Sequence, residues 1–536
     1  MPAGRSDSGH STPAWRGSAP PFRASRLAPS GAATRASVLG PLAAALATFA
    51  LHAACGGRYG PFRDEMYFVV CGERLAWGYV DQPPLVAVVA RAAHELFGAW
   101  VPGWRLLPWI ASAATAWLAG RLASRLGGGP FAAILAAVAT AASPLLLGLG
   151  HYLTMNAFEP LLWTALALTL ARLASGGDGR LWLAAGALVG LGLLDKYSMA
   201  YFAACLGLGL LLVPERRLLL DRRLALGALF AALLTLPNLA WQAGHGFPFL
   251  ELARRGQLYK NTPFELPGFF LSLFLEAGPL GAPVWLGGLA WLGGARASRP
   301  FRLLGLGALL LLAFLVAARG KPYYAAPLLP ALFAAGGVAW EGLLRPRWSR
   351  LAAPALVAAG GLAFAPAAIP LLPVEDFVRW QAAVGFRQRP LERAALGVLP
   401  QVFADQFGWP ELASGVAGAF ARLPAAERER AVVFAQNYGE AAALDLYGRP
   451  LGLPPAASGH NQYFLWGPPE GRGEVAVVVS GEREDCGRGT FRRRELLARL
   501  PENPWAMPYE SGRWIWICRE PMVPVSELWP RLRHYE

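Results

Sequence analysis

Eleven apolar runs, near the length that crosses a lipid bilayer, limit what this chain can fold into. A bilayer core is crossed by roughly 20 helical residues, and a backbone in lipid must satisfy its hydrogen bonds within the span. With 55% hydrophobic and only 16% charged residues, the chain is expected to be a polytopic α-helical membrane protein of about eleven transmembrane helices, and not a soluble enzyme. The runs are 38–54, 104–122, 131–149, 158–173, 181–194, 199–213, 224–241, 269–292, 303–318, 324–343 and 351–372.

The distribution of positive charge predicts how these helices are oriented. Lysine and arginine concentrate in short cytoplasmic loops. With the N-terminus inside, the inner segments hold 19 basic residues and the longer outer loops of the membrane half hold 11. An odd number of spans then places both the first loop and the C-terminal region outside.

Composition divides the chain into three parts. Residues 1–37 are rich in Ser, Pro, Gly, Ala and Arg, which predicts a disordered basic cytoplasmic tail. Residues 38–372 form the predicted membrane domain, and residues 373–536, where charges become frequent, form an extracytoplasmic α/β domain.

Local patterns predict the elements of that C-terminal domain. The short apolar runs 431–435, 475–479 and 514–518 are typical of buried strands, whereas 438–447 and 495–500 have helical spacing. Cys486 and Cys518 are either a disulfide or two free buried thiols.

Two adjacent carboxylates, Asp64 and Glu65, follow the first apolar run. An ionised side chain at membrane depth is costly and usually marks a functional path. The alternative is that the pair caps a surface helix, because acids favour helix N-termini. The predicted topology places both carboxylates outside.

The rare lysines give a second indication of function. Only three of the 49 basic residues are lysines, namely Lys196, Lys260 and Lys321, and all three fall in predicted outer loops. Lysine presents a compact charge that suits a phosphate group. The alternative is that these side chains only anchor helix ends at the interface.

Five ordered motifs resemble those of the bacterial family 39 glycosyltransferases, relatives of the dolichyl-phosphate-mannose protein mannosyltransferases and of the lipid A aminoarabinose transferase. The similarity extends from about residue 38 to the end, where NYGEA at 437–441 and SGHNQY at 458–463 also resemble the family. The motifs are RDEMY at 63–67, WGYVDQPP at 77–84, TMNAFEP at 154–160, DKYSM at 195–199 and GKPYY at 320–324.

The resemblance implies a GT-C fold and transfer of one sugar from a polyprenyl-phosphate carrier to an acceptor hydroxyl. In such enzymes the first acid of the loop pair is the catalytic base, which assigns that role to Asp64 with Glu65 beside it. A carboxylate base and cationic groups for the departing phosphate suit a direct, inverting displacement. The candidate phosphate ligands are Arg63, Lys196, Arg319 and Lys321.

Further residues of these motifs are candidates for contact with substrate or metal. Relatives often carry an aspartate where this chain has Asn156, so a second-acid role passes to Glu159. The substrate candidates are Tyr67, Gln82, Asn156, Glu159, Tyr323 and Tyr324. No cofactor is certain; a divalent metal is an option, because some GT-C enzymes use one, with His151, His245 and Glu65 as candidate ligands.

The expected partners are therefore a polyprenyl-phosphate-linked sugar donor, membrane lipid and an unidentified hydroxyl acceptor on a protein, lipid or glycan, with no nucleic acid. The expected location is the bacterial inner (cytoplasmic) membrane, with the active site facing outward. A secondary transporter with an external domain is the alternative class, although transporters usually show internal repeats and broken helices.

Overall fold

The N-terminal part of the molecule is a bundle of helices. The computed structural model describes residues 31–390, 392–468, 473–483 and 489–536. Its first sixteen α-helices, α1 to α16, are Gly31–Cys55, Arg63–Glu73, Leu85–Phe97, Val101–Arg125, Pro130–Ala141, Pro144–His151, Met155–Ala174, Leu181–Asp195, Ser198–Leu211, Arg222–Gly244, Pro248–Arg255, Leu266–Glu276, Ala282–Gly294, Arg302–Ala317, Leu329–Leu343 and Arg347–Phe364. Two 3₁₀ segments, Pro214–Leu220 and Pro322–Leu328, follow α9 and precede α15.

All eleven predicted apolar runs are helical, but they are not eleven uniform spans. Among the residues that the structure describes, six helices are long and apolar enough to cross a membrane, or up to eight if each bent pair of helices is one span. The run 131–149 is broken into α5 and α6, which meet at 59°, because Pro144 has no N–H to continue the helix. The run 269–292 is divided between α12 and α13. The chain is a multi-pass membrane protein, and the predicted count of eleven remains a prediction.

The first helix extends further toward the N-terminus than predicted. Helix α1 begins at Gly31, so residues 31–37 are helical, although we expected them in the tail. The apolar pattern marks only the part of a helix that lies in lipid, and the alanines of this segment favour helix beyond it. Residues 1–30 of the predicted tail lie outside the described residues.

A five-stranded sheet forms the centre of the C-terminal part. Its strands β1 to β5 are Ala431–Phe434, Ala456–Ala457, Val475–Ser480, Phe491–Arg499 and Trp514–Pro521, in the spatial order β2-β1-β3-β5-β4. Strand β1 pairs in parallel with β2 and β3, whereas β5 pairs antiparallel with β3 and β4. The helices α17 to α23 are Val374–Val384, Gln401–Ala404, Trp409–Ala421, Ala425–Arg428, Tyr438–Ala443, Gln462–Trp466 and Val525–Leu528.

The sheet confirms three predicted strands and corrects one predicted helix. The runs 431–435, 475–479 and 514–518 correspond to β1, β3 and β5, and the helical prediction for 438–447 corresponds to α21 and the π-helical turn after it. The segment 495–500 is not a helix, because it belongs largely to β4, which pairs with β5 and has an irregularity between Leu496 and Ala498. That irregularity places apolar residues at a spacing that imitates a helix.

One hydrophobic core joins the first loop to the sheet domain. Met66 and Val70 of α2 belong to the same buried cluster as Val433 of β1, Val477 of β3 and Ile517 of β5. Continuous apolar burial across the two parts opposes their separation. The C-terminal domain therefore packs directly on the loop that carries the carboxylate pair.

The cysteines differ in state. Cys518 in β5 is buried and disulfide-bonded, while Cys55, Cys71 and Cys205 are free. The predicted partner, Cys486, lies outside the described residues.

A fully buried ion pair fixes α2 to α4. Arg105 donates to Glu65 from Nε to Oε1 at 2.9 Å and from Nη2 to Oε2 at 2.8 Å, and both side chains are 0% exposed. Arg105 also donates to the carbonyl oxygens of Gly56 and Gly60. Glu65 accepts from the backbone N–H of Leu153 at 2.8 Å. The pair thus ties together α1's end, α2, α4 and the segment before α7.

We expect Arg105→Ala to destabilise the fold strongly, because it leaves the Glu65 carboxylate buried without its cation. Breaking a buried pair in this way costs about 3–5 kcal/mol of unfolding free energy. The control is Arg91→Ala, which removes an exposed pair with Glu95 and should cost at most about 1 kcal/mol. Thermal unfolding in detergent measures both, and equal losses in the two variants would contradict the anchoring role.

Candidate active site

Asp64 is the accessible member of the carboxylate pair. It lies in the first turn of α2, and its side chain is 31% exposed. The hydroxyl of Tyr438 donates to Asp64 Oδ1 at 2.8 Å, and the Arg63 Nε lies 3.6 Å from the same oxygen. Among the described residues nothing hydrogen-bonds to Asp64 Oδ2. One carboxylate oxygen is thus held and the other is available to accept a proton.

Glu65 lies on the opposite side of α2 and is not available for chemistry. Neighbouring side chains of a helix point about 100° apart, so the side chain next to an accessible acid can point into the molecule. Glu65 accepts from Arg105, from Leu153 and from the N–H of Phe62 at 2.8 Å. The predicted catalytic and metal-binding roles of Glu65 are therefore corrected to a structural one.

The predicted metal ligands do not form a metal site. The Nδ1 atoms of His151 and His52 lie 3.0 Å apart in the core of the bundle, and His245 stacks on Trp241 at the end of α10. Within the described ranges no group of three or more His, Cys, Asp or Glu side chains has metal-binding geometry. These residues do not fit a divalent metal ion.

Arg63 is committed to partners within the protein. Its Nη1 donates to the Tyr509 hydroxyl at 2.6 Å, and its Nη2 lies 3.5 Å from Asp405 Oδ2. Burial raises the pKa of Asp405 to about 6, although Arg63 opposes the rise. Only 11% of the Arg63 side chain is exposed. Its guanidinium therefore holds the residues around Asp64 in place and presents little charge to a ligand. This corrects its predicted role as a direct phosphate ligand.

Lys196 brings together four of the other predicted residues. Its ammonium donates to Asn156 at 2.8 Å and to Glu159 at 2.9 Å. It also lies 5.1 Å and 5.8 Å from the ring centres of Tyr324 and Tyr323. The hydroxyl of Ser198 donates to the same Glu159. Motifs separated by more than a hundred residues in the sequence therefore meet at one cation.

The other two lysines converge on a glutamate. Lys321 Nζ lies 3.0 Å and Lys260 Nζ lies 3.8 Å from Glu392 Oε1. Burial would raise the pKa of Glu392, but the two ammonium groups outweigh it and lower the pKa to about 2. A carboxylate between two lysines shows that this place binds an anionic oxygen. We call Lys260, Lys321 and Glu392 the paired-lysine cluster.

The paired-lysine cluster and Asp64 share one electrostatic environment. Lys260 lowers the pKa of Asp405 while Asp64 and Glu392 raise it, and Arg63 acts in turn on Glu392. The geometry links them through α18: Gln401 at its start donates to Glu392 at 3.3 Å. Asp405, which follows α18, lies 3.5 Å from Arg63, and Arg63 lies 3.6 Å from Asp64.

Three predicted residues take other places. Tyr67 and Gln82 are 1% and 0% exposed, and the Tyr67 hydroxyl donates to Asp81 at 3.0 Å. Neither side chain lines an open surface, and their contact with substrate stays a prediction. Arg319 is exposed with φ of 53°, and its guanidinium has no hydrogen bond or ion pair to a described residue.

Sequence reasoning missed several residues of this region. Asp405 and Glu392 belong to the C-terminal part, where polar residues are common and neither stands out, whereas Tyr438 was noticed only as part of the motif NYGEA at 437–441. Lys260 could be noticed from composition, because it is one of three lysines in an arginine-rich chain. Its contact with Glu392, the carboxylate that Lys321 also binds, makes it equal to Lys321 as a candidate phosphate ligand.

The depressed pKa of Glu392 has a consequence for stability. An ionised Glu392 stabilises the fold above its ordinary pKa of 4.5, and this contribution is lost as the pH falls toward about 2. We expect Glu392→Gln to lower the thermal midpoint at neutral pH, with the difference from wild type shrinking over that acidic interval. Glu265→Gln, which removes an exposed pair with Arg389, is the control; a pH-independent loss in Glu392→Gln would contradict the ion-pair assignment.

Comparison with known proteins agrees with this architecture. Residues 81–241 match the family model described as dolichyl-phosphate-mannose-protein mannosyltransferase. The lipid A galacturonosyltransferase RgtD of Rhizobium johnstonii is 28% identical over 227 residues, which are 41% of this chain and 47% of that protein. The matched region thus spans about half the length of this curated relative.

Solved structures extend the likeness to almost the whole chain. ArnT from Cupriavidus metallidurans bound to undecaprenyl phosphate superposes with a TM-score of 0.59 at 16% identity, covering 90% of this chain and 98% of ArnT. Its apo state gives 0.58 at 17% identity, with 91% and 98% covered. The resemblance predicted from the motifs is thereby confirmed, and the chain has the GT-C fold of the family 39-like glycosyltransferases.

Proposed function

We propose that the chain is an inverting glycosyltransferase that moves a single sugar from a polyprenyl-phosphate carrier to an acceptor hydroxyl on the outer face of the bacterial inner membrane. The observation that supports this most directly is Asp64, a carboxylate with one oxygen held and the other open. It shares its polar region with two lysines that already hold an anionic oxygen. A base beside a phosphate site is what this displacement requires.

In the proposed reaction, Asp64 Oδ2 takes the proton of the acceptor hydroxyl while that oxygen attacks the anomeric carbon. The bond between the anomeric carbon and the phosphate oxygen breaks, and its electron pair leaves with the polyprenyl phosphate. Lys260 and Lys321 stabilise the charge that grows on the phosphate. A single displacement inverts the anomeric centre, and no step requires a metal ion.

The Lys196 group has a separate part in this proposal. Its charge is offset by Glu159, so it is less suited than the paired-lysine cluster to bind the phosphate alone. Tyr323 and Tyr324 lie over its ammonium group and present aromatic surface, on which a sugar ring can stack. We assign Lys196, Asn156, Glu159 and the two tyrosines to binding the donor sugar and its linkage.

The relatives narrow the substrate classes. RgtD is named for transfer of galacturonic acid to lipid A, and the superposed ArnT structure contains undecaprenyl phosphate. We extend to this chain the carrier class and an acceptor hydroxyl on a lipid, protein or glycan. The sugar is a hexose or a pentose. The break between α5 and α6 is a feature that transporters also have, but the family match over residues 81–241 favours glycosyl transfer.

We expect Asp64→Asn to lower the transfer rate by about 10²–10⁴, the contribution typical of a positioned base. Purified enzyme and a labelled polyprenyl-phosphate sugar provide the assay. Glu73→Gln is the matched control, because Glu73 lies on the same helix α2 but pairs with Arg449. If folded Asp64→Asn retains the rate of the control, Asp64 is not the base.

Lys321→Ala is expected to weaken binding of a fluorescent polyprenyl phosphate roughly tenfold, because a charge-assisted contact to the phosphate is lost. Arg254→Ala, which removes an exposed positive charge from α11, should leave the dissociation constant near its original value. Equal affinity of Lys321→Ala and wild type would exclude a phosphate contact by Lys321.

A further inference from the structure

We infer that Tyr438 of the C-terminal domain is a positioning residue for the catalytic base, holding Asp64 Oδ1 so that Oδ2 faces the acceptor hydroxyl. The inference rests on the proposed function, since it concerns the base of that reaction. It assigns to the C-terminal domain a direct part in the chemistry. The active site is then complete only when that domain is docked.

Local structure fixes the position of Tyr438. It is the first residue of α21, where Asn437 caps the helix by accepting from the N–H groups of Gly439 and Glu440 at 2.9 Å and 3.0 Å. Asn437 is itself held by a hydrogen bond to Glu510 at 3.0 Å. Capping of this kind fixes the direction in which a helix begins.

The ring of Tyr438 is enclosed on several sides. It packs against Tyr67 with ring centres 4.8 Å apart, and His460 meets it edge-on at 5.0 Å. The guanidinium of Arg63 lies 5.2 Å from its centre. Only 7% of the residue is exposed. These contacts leave the phenol few orientations, and in the observed one it points its hydroxyl at Asp64.

The hydroxyl is suited to act as a donor. Burial raises the pKa of Tyr438 well above its usual range, so the phenol keeps its proton at neutral pH. The Arg63 Nε is 3.6 Å from the same carboxylate oxygen, beyond ordinary hydrogen-bond distance. Tyr438 therefore makes the short contact that fixes the carboxylate, while Arg63 supplies charge nearby.

Close packing ensures that this contact depends on domain docking. A Cβ at Gly439 would lie 2.4 Å from Arg63 Cγ, so α21 approaches α2 as closely as glycine permits. Nine-tenths of Arg63 is buried between these elements, where it also binds Tyr509 and Asp405 of the C-terminal part. A displaced domain would withdraw the Tyr438 hydroxyl and expose Arg63 together.

Other charged groups also act on this carboxylate or its partner. Those that face the pair from the surrounding elements are Arg63 on α2, Asp81 in the first loop, Asp405 after α18, His460 before α22 and Tyr509. Burial raises the pKa of Asp81 to about 7 and that of Asp405 to about 6. An effect of Tyr438 on pH dependence must therefore be measured as a difference between variants that retain all of these groups.

The test is the pH profile of transfer by Tyr438→Phe with a labelled polyprenyl-phosphate sugar. Loss of the hydroxyl removes a donor that stabilises the ionised carboxylate, so we expect kcat to fall about tenfold and its acidic limb to move to higher pH. The KM for the donor should stay within about twofold, because no phosphate contact is lost.

Tyr463→Phe is the matched control. Tyr463 lies in the same domain, is buried, and donates its hydroxyl to a carboxylate, Asp445, at 2.8 Å, but it does not contact Asp64. Its profile should superpose on that of the wild type. If Tyr438→Phe shows the wild-type rate and profile, or if Tyr463→Phe shifts the profile equally, the positioning role is wrong.

Fluorinated tyrosine incorporated at position 438 keeps the ring and the fold while making the phenol a stronger donor. The acidic limb should then move to lower pH, opposite to Tyr438→Phe, and this variant decides the question if the phenylalanine protein does not fold. An unchanged acidic limb would overturn the inference.

The Asp64→Asn variant separates the proposed base from the positioning role of Tyr438. If Asp64→Asn is active, Asp64 is not the base. If Asp64→Asn is inactive but changes at Tyr438 have no effect, only the positioning role is overturned.

Discussion

The buried pair of Glu65 and Arg105 is the constraint on which the rest of the site depends. Both side chains are withdrawn from solvent, and their remaining hydrogen bonds go to the backbone of the segments around them. A charge pair in such a place is tolerated only when nearly all of its donors and acceptors are satisfied. The pair therefore fixes the start of α2, and with it the direction in which Asp64 projects.

The site is assembled from two parts of the chain that share a hydrophobic core. Helix α2 contributes Asp64, the proposed base, the bundle contributes the lysines, and the C-terminal domain contributes Tyr438 and Glu392. The apolar contact of α2 with the sheet holds these groups together, and the ring of Tyr438 takes part in it by packing on Tyr67.

The sequence drew attention to residues whose charge is costly or unusual in its surroundings. Asp64 next to an apolar run and three lysines among 46 arginines stood out for that reason. The role of Glu65 was misassigned because adjacent residues look equivalent in a sequence, whereas on a helix their side chains point in different directions. Segment 495–500 was misassigned because an irregular strand can imitate helical spacing. Glu392 and Asp405 could not be found, since acids are ordinary in a polar domain.

The sequence by itself determined the class of the protein, because apolar runs of bilayer length permit only helices in lipid, and its ordered motifs identified the kind of enzyme it resembles. Only the tertiary structure decided which charges meet. It placed Glu65 inside and Asp64 outside, brought Lys260 and Lys321 to one carboxylate, and brought Tyr438 to the base. Such contacts join residues hundreds of positions apart, and no local pattern specifies them.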